Sequence, residues 1–286
     1  MKRRTFLKTT GLLTAAIGIP GLLKASPSAS ENSLPGFGIL TGNTGGKWVE
    51  SNPEAALQEI ARMGYTDLEF GDTYGMELAY LKSLLKELKL NALLGPTSMG
   101  AMLDEAQLRK DIRACQEIGK KYIVCYWPWV DGGQNKTIED WKQVAHRLNT
   151  GGAICKKEGL QLLYHDHDME FLPVNGQIPF DVLMAELDPE SVNIELDLYW
   201  ITKGGKSAEE YIRKYPGRYP VFHVKDMDKT PARSFECVGE GCIDFPSIFT
   251  LNQTAGVKHF IVEHDEPADP EACIRTAADY LSHVRF

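Results

Sequence analysis

The chain has 286 residues, of which 43% are hydrophobic and 24% charged, which is enough for one large globular domain or two small ones. Its 31 basic and 39 acidic residues give a formal net charge of −8. A nucleic-acid partner is therefore not expected, because nucleic-acid binding requires basic surface patches.

The first 25 residues have the pattern of an export signal. Arg3 and Arg4 lie in a basic segment, and the apolar run over residues 11–23 is too short and too interrupted by Gly and Pro for a membrane span. Ala25 provides a small residue for cleavage. The run Arg-Arg-x-Phe-Leu-Lys resembles a twin-arginine signal, which implies transport of the folded protein to the periplasm. A retained N-terminal anchor is the alternative.

We therefore expect an export signal peptide over residues 1–25, a flexible segment over 26–35 and a catalytic domain over 36–286. After cleavage, 26 basic and 39 acidic residues would remain, giving a net charge of about −13. We expect a soluble periplasmic protein with no membrane contact, and its sequence is compatible with a homo-oligomer.

The chain contains six cysteines. Cys237 and Cys242 are close in sequence, and a disulfide between them is one expectation for an oxidising compartment. A zinc finger is not expected, because no Cys-x-x-Cys spacing occurs.

From residue 36 onwards, short apolar segments alternate with longer amphipathic ones. The predicted strands are residues 36–41, 66–70, 91–95, 122–126, 160–165, 192–197, 221–225 and 259–263. The predicted helices are residues 52–61, 76–88, 103–119, 137–158, 179–187, 207–214, 245–252 and 271–284. Eight strand–helix units in about 250 residues predict a single-domain α/β fold, a (β/α)8 TIM barrel. A doubly wound open sheet is the alternative, but no Gly-x-Gly-x-x-Gly follows the first strand.

The fifth predicted strand ends in a cluster of ionisable residues. His165 and His167 are two residues apart, so their side chains point the same way if the strand continues, and Glu170 follows closely. Two imidazoles and a carboxylate at one strand end are typical of a metal site or of acid–base catalysis.

The next three strands place similar groups at the same end of the barrel. Strand six ends in Asp197, strand seven carries His223 and Lys225, and strand eight carries Glu263. Burying this many charges without a cation would be costly. Mixed carboxylate and imidazole ligands suit one divalent ion, either Mn²⁺, Zn²⁺, Co²⁺ or Mg²⁺.

These segments resemble the xylose-isomerase-like barrel superfamily, the sugar phosphate isomerase/epimerase group. The matching segments are Tyr164–Phe171, Leu196–Trp200, Phe222–Asp226, Val238–Gly241, Ile243–Asp244 and Val262–Glu263. The resemblance implies a metal bound by Asp197, His223 and Glu263, with a fourth ligand from strand five. We favour Glu170 as that ligand because it keeps the negative charge, with His165 as the alternative.

The resemblance also implies the chemistry. The first expectation is a sugar isomerase or epimerase that acts through an enediolate; the alternative is a lyase or dehydratase on a keto-glycoside or keto-inositol. Epimerase members usually carry Glu where this chain has His165, and the His-x-His pattern looks more like the lyases. The candidate bases are His165, His167 and Glu263, and Lys225 is the candidate proton donor.

Aromatic residues follow strands four and six. Trp127, Trp129, Tyr199 and Trp200 are therefore the candidate substrate-binding residues, since aromatic faces pack against the C–H faces of sugars. No Gly-rich phosphate-binding loop is present, so we expect an unphosphorylated carbohydrate as substrate. Two other classes are a non-catalytic sugar-binding barrel and a DNA-repair endonuclease, and the acidic charge argues against the latter.

Overall fold

In the computed structural model, residues 32–133, 136–265 and 267–286 are described. The predicted signal peptide and the flexible segment up to residue 31 lie outside these residues. Asn32 and Phe286 each accept a backbone hydrogen bond from the other, at 2.9 and 3.2 Å. The described end of the predicted flexible segment is therefore paired with the last residue of the chain.

Eight parallel strands close into a barrel in sequence order, and the first strand pairs with both the second and the eighth. This confirms the predicted single-domain TIM barrel. The strands are β1 Gly38–Leu40, β2 Asp67–Glu69, β3 Asn91–Thr97, β4 Tyr122–Cys125, β5 Gln161–His165, β6 Val192–Asp197, β7 Val221–Val224 and β8 His259–Val262.

Helices connect the strands around the outside of the barrel. They are α1 Thr41–Ser51, α2 Pro53–Arg62, α3 Leu78–Leu88, α4 Met99–Leu103, α5 Glu105–Ile118, α6 Ile138–Lys157, α7 Pro179–Glu186, α8 Leu198–Lys203, α9 Ala208–Lys214, α10 Phe245–Phe249, α11 Asn252–Ala255 and α12 Pro270–His283. A 3-10 turn covers Asp168–Phe171, and a short antiparallel ladder pairs Asp226–Met227 with Phe235–Glu236.

The helices differ from the prediction in two places near the start of the barrel. The predicted helix over 103–119 is two helices, because Asp104 is extended and its side chain caps α5 by accepting from the amides of Ala106 and Gln107. Helix α1 begins directly after β1, in a segment to which no helix or strand was assigned from sequence. It kinks at Gly46, whose φ of +44° is a conformation that glycine adopts most easily.

The alternation of side chains along the strands builds two cores. Leu162 and Tyr164 of β5 join the large apolar layer between barrel and helices, whereas Leu163 joins a second cluster inside the barrel. The other members of this inner cluster are Leu93, Leu94, Tyr122, Val124, Val221 and Ile261. His165 lies two residues beyond Leu163, so it follows the inner cluster at the carboxyl end of the strand.

A disulfide joins Cys237, in the connection after β7, to Cys273 in α12. The predicted Cys237–Cys242 pair is therefore wrong. Cys242 is exposed and unpaired in the part of the chain that the structure describes. The closer neighbour in sequence is not the partner, because the chain turns between Cys237 and Cys242 while α12 packs alongside.

Within the described ranges, no helix is long and apolar enough to cross a membrane.

Candidate active site

Four side chains from consecutive strands meet at the carboxyl end of the barrel. Strand pairing sets Asp197 opposite His223, and His223 opposite Ile261, two residues before Glu263. One ligand atom from each of the four lies within 4.8 Å of the others. The four residues, which we call the rim cluster, are His165, Asp197, His223 and Glu263. All of them are buried.

The rim cluster is suited to a divalent cation. Asp197 Oδ1 accepts hydrogen bonds from the amides of Tyr199 and Trp200, both at 2.8 Å, which fixes the carboxylate at the start of α8. Asp197 Oδ2 is buried without a hydrogen-bond partner among the described residues. An unpartnered buried carboxylate oxygen beside two imidazoles and a second carboxylate is a donor set for a metal with mixed nitrogen and oxygen ligands. Such a group supports a metal site without selecting the ion.

The fourth member is His165, and Glu170 does not belong to the rim cluster. The 3-10 turn after β5 folds Glu170 back under the strand. There its Oε1 accepts from the Tyr164 hydroxyl, and its Oε2 accepts from the backbone N–H of His167 at 3.0 Å. The preference for Glu170 as a ligand is therefore corrected, because both of its oxygens are already used by buried donors.

Two further buried carboxylates, Glu195 and Glu69, contact the imidazoles of His165 and His223. Glu195 Oε2 lies 3.2 Å from His165 Nδ1, and Glu69 Oε2 lies 2.9 Å from His223 Nε2. The Tyr126 hydroxyl donates to the other oxygen of Glu69. Glu69 and Tyr126 were not predicted as site residues from the sequence, although Glu69 ends β2 just as Asp197 ends β6. These contacts orient the rings within the rim cluster.

Lys225 lies beside the rim cluster. Its ammonium donates to Asp265 and is 3.4 Å from Glu263 Oε2. Asn43 of α1 lies on the same side of the rim cluster, where it donates to Glu263 at 3.2 Å and to Asp265 at 2.8 Å. No sequence motif marks Asn43, because it is distant in sequence from Glu263 and lies in a segment to which no helix or strand was assigned.

Burial and neighbouring charges set the protonation of these groups. Burial, with a further effect from His223, lowers the pKa of His165 to about 3; burial and His165 lower that of His167 to about 2. Burial opposes the charge on Lys225, but the carboxylates around it raise its pKa. Burial likewise opposes ionisation of Glu263, yet Lys225 and His223 hold its pKa well below the usual value. His165 and His167 are thus neutral imidazoles beside a firmly cationic Lys225. Burial also opposes the charge on His223, but the carboxylates of Glu195 and Glu69 raise its pKa well above the usual value.

The four predicted aromatic residues have different environments. Trp200 faces the site, and Trp127 is 43% exposed with its ring 5.1 Å from that of His167. Trp129 instead packs edge-on against Trp141 of α6, with 4.7 Å between ring centroids.

Tyr199 is buried behind Trp200, and its hydroxyl donates to the Arg233 carbonyl at 2.8 Å. Of the four candidates, the structure therefore places Trp200 and Trp127 near the site, and places Trp129 and Tyr199 in supporting packing.

A cavity of about 360 Å³ opens over the rim cluster, and we call it the reaction cavity. This volume is at the lower end of the range for small-molecule sites. Its lining combines polar and ionisable groups with apolar walls: Leu40, Asn43, Phe70, Gly71, Pro96, Tyr126, His165, His167, Trp200, Lys225, Glu263 and Asp265.

A TIM barrel with a buried nitrogen and oxygen cluster under a small polar cavity belongs to the class of barrels with a candidate metal-dependent active site at their carboxyl end. Similarity to known proteins agrees with this class. The chain belongs to the xylose isomerase-like TIM barrel family, whose model matches residues 57–284.

The chain is also similar to named relatives and to solved structures of the same fold. An inosose dehydratase of Clostridium perfringens is 26% identical over 270 residues, which cover 82% of this chain and 89% of that protein. A sugar phosphate isomerase/epimerase from Parabacteroides distasonis is 23% identical, with a TM-score of 0.74 and coverage of 90% of this chain and 96% of that one.

The IolI protein with a bound zinc atom shares the fold at 17% identity, with a TM-score of 0.68 and coverage of 85% and 95%. The chain is an enzyme of the carbon–oxygen lyase or isomerase/epimerase kind.

Proposed function

We propose that this protein is a divalent-metal-dependent carbon–oxygen lyase that removes water or an alcohol from a cyclic keto-sugar or keto-inositol. The observation that carries the proposal is the position of Glu170, which is turned away from the site. The β5 side of the reaction cavity therefore presents imidazoles and no carboxylate. The inosose dehydratase relatives, which align over most of the chain, support the same chemistry.

The metal would be held by the rim cluster. When bound, a divalent ion supplies Lewis-acid polarisation of a ketone oxygen. Zinc is a candidate because the IolI protein of the same fold binds it, and Mn²⁺, Co²⁺ and Mg²⁺ are compatible with the donor set.

His167 is the proposed base. Its ring lines the reaction cavity, and burial keeps the imidazole neutral, so that one ring nitrogen carries no proton. A free ring nitrogen can accept the proton from the carbon next to the ketone. The ring is held in place by contacts with Trp127 and Trp200, at 5.1 and 5.3 Å between centroids.

Lys225 is the proposed acid. As the C–H electron pair forms the new carbon–carbon double bond, the carbon–oxygen bond at the next carbon breaks. Lys225 Nζ donates a proton to the departing oxygen, which leaves as water or as an alcohol. Asp265 and Glu263 hold the ammonium at the cavity wall, and the faces of Trp200 and Phe235 lie 5.0 and 4.6 Å from it.

An isomerase or epimerase activity is the second candidate function. The ionised carboxylate of Glu263 lines the cavity and provides a second group able to exchange a proton with substrate carbon. A non-catalytic sugar-binding barrel is less well supported, since a binding site does not require His167 and Lys225 to be positioned as a base and acid pair.

The test is turnover of an inosose by protein loaded in turn with Mn²⁺, Zn²⁺, Co²⁺ and Mg²⁺, followed by the ultraviolet absorbance of the conjugated enone product. Lys225→Met keeps the length of the side chain without the proton donor, and it should lower kcat by about 100-fold or more. A wild-type protein that forms no enone from keto-inositols or keto-sugars with any of these ions would overturn the proposal.

We further propose that the enzyme acts in the periplasm after cleavage near Ala25. The twin arginines and the apolar run support this location. Cell fractionation of the native chain and of an Arg3→Lys/Arg4→Lys variant tests it. Equal periplasmic recovery of both chains would contradict twin-arginine transport.

A further inference from the structure

A second cavity adjoins the reaction cavity on the β1–β2 side of the barrel. It has a volume of about 520 Å³, and we call it the side cavity. Phe70 and Gly71 line both cavities. The residues after β1 also line the two cavities. Asn43 lines the reaction cavity, whereas Thr41 and Gly42 line the side cavity. The two cavities therefore lie on either side of a short shared edge formed by Phe70 and Gly71.

Several contacts hold the edge between the two cavities in place. The ring of Phe70 stacks on Tyr74 with 5.3 Å between centroids, and the Lys120 ammonium lies 3.8 Å from the Phe70 ring centroid. Lys120 also donates to the Phe70 carbonyl. The Tyr74 hydroxyl is 2.6 Å from the hydroxyl of Thr41. These contacts fix the position of the edge that the two cavities share.

The lining of the side cavity indicates what it would bind. Val49, Pro53 and the aromatic wall provide apolar surface, and the carboxylates of Glu50 and Asp72 provide hydrogen-bond acceptors. Acceptors beside apolar surface suit a neutral polyhydroxy ring, whose hydroxyls donate and whose C–H faces pack. The two carboxylates would repel a phosphate group.

We propose that the side cavity is a subsite for a second ring, so that the substrate is a cyclic ketone carrying a neutral sugar through a glycosidic oxygen. This inference rests on the proposed lyase function and extends it to the leaving group. In the step, the base removes the proton next to the ketone, the C–H pair forms the double bond, and the bond to the glycosidic oxygen breaks. That oxygen takes a proton and leaves as the free sugar, and no oxidant or reductant is consumed.

Gly42 offers a direct test, because a Cβ built there meets no atom within 4 Å and the residue lines only the side cavity of the two. Gly42→Ala, Gly42→Leu and Gly42→Phe would fill that cavity in steps. The probes are two 3-keto-glucosides with the same reacting ring, one with a methyl group and one with a second glucose on the glycosidic oxygen. Binding is measured by titration calorimetry and turnover by enone absorbance, with thermal unfolding to verify each fold.

We expect wild-type protein to bind the disaccharide at least about tenfold more tightly than the methyl glycoside. This preference should fall in the order Ala, Leu, Phe. Equal affinity for the two probes in wild-type protein, or a preference that survives both larger substitutions, would overturn the subsite. Lack of enone from either probe, with the binding preference intact, would instead contradict the lyase function and leave the subsite standing.

Discussion

The Tyr164 hydroxyl donates a hydrogen bond to Glu170, and this buried contact determines which side chain of the β5 region can reach the rim cluster. Because Glu170 is held under the strand, we propose His165 as the strand-five ligand of the metal. His165→Ala should therefore abolish stoichiometric metal binding, whereas Glu170→Gln should retain about one divalent ion per chain. Elemental analysis of the purified variants checks this. Metal lost from Glu170→Gln and kept by His165→Ala would reverse the assignment.

The contact between Glu195 and His165 leads to a second prediction. Glu195 Oε2 lies 3.2 Å from His165 Nδ1, so it orients the ring and leaves the other nitrogen available to a metal. Glu195→Gln should weaken metal affinity by about 10- to 100-fold, as is usual when an outer-shell partner of a histidine ligand is replaced. Competition with a chelator measures the affinity.

Asn193 is a matched control for Glu195 on the same strand. It lies two residues earlier and pairs with Arg218 at 3.1 Å. Asn193→Ala should leave metal affinity unchanged, and an equal loss in both variants would indicate a general effect on β6.

The disulfide between Cys237 and Cys273 should contribute measurably to stability. It closes a loop with a sequence separation of 36 residues, for which loop entropy predicts about 3–4 kcal/mol. Cys273→Ser should lower the free energy of unfolding by about that amount in denaturant titrations. Cys242→Ser is the control, because Cys242 is exposed and unpaired among the described cysteines, and it should change stability by less than about 0.5 kcal/mol. The opposite ranking would restore the Cys237–Cys242 pair.

The hydrogen bonds of Asp67, at the amino end of β2, lead to a prediction about the stability of the protein at low pH. Burial opposes its ionisation, but hydrogen bonds with His259 at 2.9 Å and from Asn91 at 2.8 Å lower the pKa of Asp67. A carboxyl whose pKa is lower in the folded state stabilises the protein above its unfolded pKa, about 3.9, and this stabilisation is lost as the pH falls through the folded pKa. Asp67→Asn should therefore cost about 1–3 kcal/mol at pH 7.

The pH profile distinguishes this effect from a simple loss of packing. The difference in unfolding free energy between wild-type protein and Asp67→Asn should shrink below about pH 4. Thermal or urea unfolding from pH 3 to pH 8 measures it. A constant difference across that range would show that the charge of Asp67 is not responsible.

The fold could be predicted from sequence because strand and helix periodicity persists through eight units. The strand-end positions of Asp197, His223 and Glu263 followed from the same pattern. The position of Glu170 could not be predicted, because the four-residue 3-10 turn Asp168–Phe171 decides whether its carboxylate points up to the rim or back to Tyr164. The residue pattern along one strand likewise does not identify which side chains of other strands it contacts across the barrel.

Distance in sequence explains the remaining differences. Glu69 and Asn43 reach the site from β2 and α1, where no motif marks them, and only barrel closure brings β1 against β8. The disulfide partner of Cys237 was missed for the same reason, since connectivity cannot be read from spacing. Trp129 follows β4 as predicted, but its ring turns toward Trp141 and away from the reaction cavity.

Proton NMR of an inosose incubated in D₂O with the metal-loaded protein tests the proposed chemistry most directly, because it separates elimination from isomerisation in a single sample. The predicted result is a new vinylic or enone product formed with loss of one carbon–oxygen bond. An epimer or isomer of the starting ketone that carries solvent deuterium, with no unsaturated product, would contradict the lyase function and favour the isomerase/epimerase reading.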